Sequence, residues 1–107
     1  MEWLDPWWST ADRNAHFHEA FLKQLQLEVS PHHQMFGLPV RLIARGNGDD
    51  ALFELLDGSG RVAVVHLTWA KVQEDPPWPV TTIYPNIESF VEQCMRPEHE
   101  EWLSNQD

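Results

Sequence analysis

The sequence predicts an α+β fold: a two-layer sandwich in which an antiparallel three- to four-stranded meander packs against two helices, in the order α-β-β-β-(β)-α. Three observations predict it. Residues 38–69 hold three β-type runs, PVRLIAR, ALFELLD and RVAVVHLTW, joined by Asn47-Gly48 and Gly58-Ser59-Gly60, the residues hairpins need. Before this stretch Phe17, Phe21 and Leu25 recur at helical spacing, and after it Ile87, Phe90, Val91, Cys94 and Met95 do the same. The chain has 107 residues, 42% of them hydrophobic, which predicts a single domain over residues 1–107 with one core.

In chain order, residues 1–8, MEWLDPWW, form a Trp-rich arm. Asp5-Pro6 disfavours helix there, and the indoles are expected to pack onto the body. Ser9 or Thr10 suits a helix N-cap with Asp12 in the first turn, and the helix is expected over residues 11 to about 29. Its apolar stripe takes in His18, Leu22 and Val29 and spans roughly 140°. Ser30-Pro31 closes it, and HHQMFGLP leads into the sheet.

A two-residue turn at Asn47-Gly48 pairs Gly46 with Asp49. Arg41 then faces Glu54, Leu42 faces Phe53, Ala44 faces Ala51, and Arg45 faces Asp50, with opposite charges meeting twice across the ladder. A three-residue loop at Gly58-Ser59-Gly60 pairs Asp57 with Arg61 and sets His66 opposite Leu52. One sheet face then carries only apolar residues: Val40, Leu42, Ala44, Ala51, Phe53, Leu55, Ala63, Val65, Leu67 and Trp69. It requires a cover, most economically both helices. The reverse face mixes Arg41, Arg45, Asp50, Glu54 and His66 with Ile43, Leu52, Leu56, Val62 and Val64. Aliphatic residues beside charges imply a partial cover by the Trp-rich arm, or an interface.

Asp75-Pro76-Pro77-Trp78-Pro79 is too proline-rich for a helix or central strand. Residues 80–84 suit a short edge strand, and Asn86 caps a second helix that Pro97 stops. EHEEWL is then expected to form a short turn with Trp102 folding back.

The net charge is −10, from 17 acidic and 7 basic residues. A field of that sign repels nucleic-acid phosphates and anionic lipid, so neither nucleic acid nor membrane is an expected partner. It favours a basic partner. Glu98, Glu100, Glu101 and Asp107 crowd the C-terminus, whereas five of the seven basic residues lie from Arg13 to Arg61. With Cys94 the only cysteine, no intrachain disulfide forms, and neither a signal peptide nor an apolar run of ~18 residues is found. A cytoplasmic location is expected.

No catalytic residue, metal or cofactor is expected. His16 and His18 are two apart on a helix and point to different sides, and Leu22 stands where a zinc-protease helix needs its second histidine. Cys94 falls on the core stripe of its helix, Gly58-Ser59-Gly60 is explained by turn chemistry, and RGNGDD lacks the Lys-Ser/Thr of a phosphate loop. The candidate binding residues are therefore Arg41, Glu54 and His66 on the mixed face, with Trp78 in the proline segment. His66 has carboxylates as diagonal neighbours, and Trp is the residue most enriched at binding hot spots. The expected function is a small acidic, non-enzymatic module that binds a protein partner or a second copy of itself. The alternative is a small-molecule-binding protein or small enzyme with its pocket near His66.

FELLDGSGRVAVVHLTW, followed by PPWPVTTIYPNIESFVEQCMRPEHEEW, resembles a group of small uncharacterised bacterial proteins. They share a start like WLDPWW and a GLPVRLIARG…DDALFELLDGSGRV core. The resemblance covers most of the chain and implies a bacterial, stand-alone, cytoplasmic protein of about this length, of a kind also found on mobile gene cassettes. It transfers no activity, cofactor or site.

Overall fold

A computed structural model describes residues 1–106; Asp107, one of the C-terminal acids, lies outside the described residues. The expected α+β architecture is present: an antiparallel meander packed against helices. The strands β1 (Trp8–Ser9), β2 (Val40–Arg45), β3 (Asp50–Leu55), β4 (Val62–His66) and β5 (Thr81–Tyr84) form one sheet in chain order. Helix α1 (Ala15–Glu28) lies between β1 and β2. After β5, α2 (Ile87–Phe90), a π-helical segment (Val91–Met95) and α3 (Arg96–Ser104) follow without a break in helical backbone. Arg96 N–H reaches back to the Val91 carbonyl, and Pro97 comes next. The wider π turn leaves room for a proline ring that would crowd the carbonyl four residues before it in an α-helix.

The helices lie on both faces of the sheet rather than sharing one. Phe21 and Leu25 of α1 and Val29 at its C-cap pack with Leu42, Phe53, Ala63 and Val65. Phe90, Cys94 and Met95 pack with Leu52, Val62, Val64 and Trp7 from the arm. The mixed face is thus a second core. Covering it removes Leu52, Val62 and Val64 from water, each worth about 1.5–3 kcal/mol when fully buried.

Helix α1 starts later than its apolar pattern indicates. Trp8 and Ser9 pair with Arg45 and Ala44, so the chain is still extended where the cap was expected. Asn14 is the cap instead, accepting Phe17 N–H at 2.9 Å.

Two strand registers also differ from expectation. The β2–β3 loop is one residue longer, with Gly46 N–H on the Asp50 carbonyl and Gly48 left-handed at φ +59°. A bulge between Leu42 and Ala44 absorbs the extra residue. Arg41 and Leu42 therefore still face Glu54 and Phe53, while Ala44 faces Leu52 and Arg45 faces Ala51. The bulge moves Ala44 to the second core beneath Trp7 and swings Arg45 over the Phe21 ring at 4.7 Å. The second hairpin slips by two: Phe53 faces Ala63, and Asp57 folds into the loop to accept Ser59 N–H and Arg61 Nη2–H at 3.0 Å each. An even slip keeps every side chain on its face. It also puts His66 opposite Asp50 instead of Leu52.

Candidate functional site

Arg41 and Glu54 meet across β2 and β3, where Arg41 Nη2 lies 3.1 Å from each Glu54 oxygen. Their side chains are 60% and 36% exposed, so the pair contributes little to stability, about 0.2–1 kcal/mol. A cleft of about 510 Å³ opens beside Glu54, floored by Ile43, Val62 and Ile87 with Leu56 at its wall.

His66 projects from the same face of the sheet at its other end. Its Nδ1 contacts an Asp50 carboxylate oxygen directly. Partial burial pushes the Asp50 carboxyl above its ordinary range, an effect the His66 contact opposes and the charges of Glu98 and Asp49 reinforce. Asp50 and Glu54 are four residues apart on β3, roughly 13 Å, with buried Leu52 between them. The Arg41–Glu54 and Asp50–His66 pairs are therefore separate features. No hydroxyl or thiol bonds to His66 among the described residues.

Beside Asp50 lies a polar group that sequence reading missed. Trp7 Nε1–H and Cys94 Sγ–H each donate to Glu98 at 3.0 Å, one to each carboxylate oxygen. Burial, then Glu98, pushes the Cys94 thiol up to about 12, and burial with Cys94 alongside pushes Tyr84 up to about 12. The thiol is thus protonated at neutral pH and is no nucleophile. Cys94 and Glu98 are four apart on helical backbone, a spacing legible in the sequence. The arrival of Trp7 from the other end of the chain is not.

A second missed residue, Glu28, is fully buried at the end of α1. Its carboxylate accepts Thr68 N–H at 2.8 Å, Thr68 Oγ–H at 2.9 Å, Trp69 N–H at 2.9 Å and Gln24 Nε2–H at 2.6 Å. These bonds hold Trp69 at φ +56°, a conformation that costs a bulky residue about 1–3 kcal/mol. Glu28 stands seven residues after Phe21, on the buried stripe. An acid at such a position signals a specific partner.

Trp78 stays out of the core, 52% exposed, on a loop that is clamped rather than loose. Glu74 N–H bonds the Glu28 carbonyl, Trp78 N–H closes a turn on Asp75, and His66 N–H holds the Val80 carbonyl at 2.9 Å. Buried His33 accepts Met35 N–H at Nδ1, so Nε2 carries the proton that bonds the Pro79 carbonyl at 2.8 Å. Gln34 Nε2 ties the Thr81 carbonyl at 3.1 Å. Phe36, Val72, Trp78 and Val80 are all exposed on these clasped loops.

Of the four sequence-level candidates, Arg41 and Glu54 pair at one end of the sheet. His66 lies at the other, opposite Val80 across the ladder, and Trp78 stands two residues before Val80 on the proline loop. Among the described residues, no three His, Cys, Asp or Glu side chains converge as a metal ion requires. No helix there is long and apolar enough to cross a membrane. The chain matches no protein-family model, no curated protein and no solved structure.

Proposed function

We propose that this chain is a non-enzymatic protein-interaction module that docks its partner through the proline loop around Trp78. The observation that carries the reading is the half-exposed indole on a segment clamped from three sides, by α1, by the 30–37 turn and by β4. A prefixed loop loses little entropy on docking, and an aromatic anchor on it supplies desolvation energy at the centre of an interface.

A photo-crosslinking amino acid at position 78, compared with one at exposed position 23, tests this in the cells that make the protein. A discrete adduct at 78 alone is expected. An adduct of twice the chain's own mass would make the partner a second copy. No adduct, or the same adducts at both positions, would overturn the reading.

The cleft beside Glu54 supports a second reading, a small apolar ligand on Ile43, Leu56 and Ile87. It lies at the end of the face away from His66.

A further inference from the structure

Resting on that reading, we infer that the partner is basic: it seats an arginine or lysine side chain in an acidic cleft about 10 Å from an apolar residue that covers Val80 and Trp78. The cleft, about 330 Å³, lies between the β2–β3 loop and α3, with Asp50, Glu101 and the Trp102 ring among its walls. Asp50 in β3, His66 in β4 and Val80 just before β5 stand in one row, since Asp50 pairs with His66 and His66 N–H bonds the Val80 carbonyl. Side chains opposite one another in adjacent strands share a face, and two strand spacings make about 10 Å. The acidic cleft and the apolar patch thus adjoin as one surface, with His66 between them.

Charge selects the occupant. Glu98 already takes the Trp7 and Cys94 hydrogen bonds and one Asp50 oxygen contacts His66, which leaves the other Asp50 oxygen and exposed Glu101 to meet a cation, and an aromatic wall such as Trp102 suits a guanidinium. A second copy of a chain with net charge −10 would bring like charge to an acidic surface, so the field disfavours self-association there.

The probes are two short peptides, one of alternating arginine and leucine and one with glutamate in place of arginine, titrated into 15N-labelled protein. The expected result is saturable shifts for the arginine peptide alone, at the Asp50, His66 and Val80 amides and the Trp78 and Trp102 indoles. Trp78→Ala should weaken binding about tenfold. Glu101→Gln should weaken it about threefold and flatten its salt dependence. An otherwise unchanged spectrum shows that each variant is folded. No saturable binding, equal binding of the glutamate peptide, shifts elsewhere, or unaffected variants would each overturn the inference. Crosslinking at position 78 separates the two claims. An adduct without arginine-peptide binding keeps the module and removes the basic partner, whereas no adduct removes both.

Discussion

The two faces of the sheet bury similar strands in different ways. The α1 face is sealed by one helix close in sequence to the strands it covers; its strand residues are apolar apart from Arg45 over the Phe21 ring, and its buried acid, Glu28, stands at the end of the helix. The opposite face is closed by the two ends of the chain, with Trp7 meeting Phe90 edge-on at 5.0 Å and reaching Glu98. It also holds Cys94, Glu98 and the half-buried Asp50. Apolar packing tolerates substitution by volume, whereas a buried polar group must keep its partner, so geometry is strictest around Glu28 on the first face and around Cys94 and Glu98 on the second. The contacts of the second face also span most of the chain, which adds loop-closure entropy to its formation.

The largest effect that would break this comparison is a large-to-small change on each side. Phe53 and Phe90 are both fully buried, and alanine at either should cost about 3–5 kcal/mol in denaturant unfolding. A much smaller loss at Phe90 would show that the second face is loosely closed. Next comes Gly46, where an added Cβ would stand 2.7 Å from the Trp7 ring. Gly46→Ala should cost about 1–3 kcal/mol as an overpacked site. In a double-mutant cycle with Trp7→Leu most of that cost should disappear; additivity would mean that the arm does not press on the hairpin.

The smallest effect is a difference in the sign of two pH dependences. Asp50 has its folded pKa raised by burial. Its contribution is therefore fully present below its ordinary value of 3.8 and lost as pH rises through the folded value. Asp57, exposed in the β3–β4 loop, is lowered from 3.8 to about 2 by bonds from Ser59 and then Arg61. Its contribution is present above 3.8 and lost as pH falls toward 2. Unfolding of Asp50→Asn and Asp57→Asn across acidic pH should differ from the parent with opposite slopes. Equal slopes would refute the contrast between a buried acid and a surface loop acid.

Much of the fold was legible because its signals are local. The stripe through Phe17, Phe21 and Leu25, the glycine turns and the Asn86 cap each act within a few residues. The Arg41–Glu54 pair follows from strand pairing and side-chain type alone. The bulge between Leu42 and Ala44 was not legible, because it accommodates a longer loop and a Trp7 ring that arrives from elsewhere. The two-residue slip of β4 was hidden for a related reason: an even slip leaves the hydrophobic pattern unchanged, so only the Asp57 loop bonds decide it. The candidate site suffered most, because that slip made Asp50 the direct neighbour of His66.

By itself the sequence determined the element types, the side of the sheet that most residues face, the acidic field and the absence of familiar catalytic motifs. Those depend on periodicity, turn chemistry and charge, which a chain carries without folding. The tertiary structure alone decided that the helices divide between two faces, that both termini build the second core, and that His66 stands opposite Asp50. Each of these depends on contacts between residues far apart in the chain, and no local pattern encodes which distant surfaces meet.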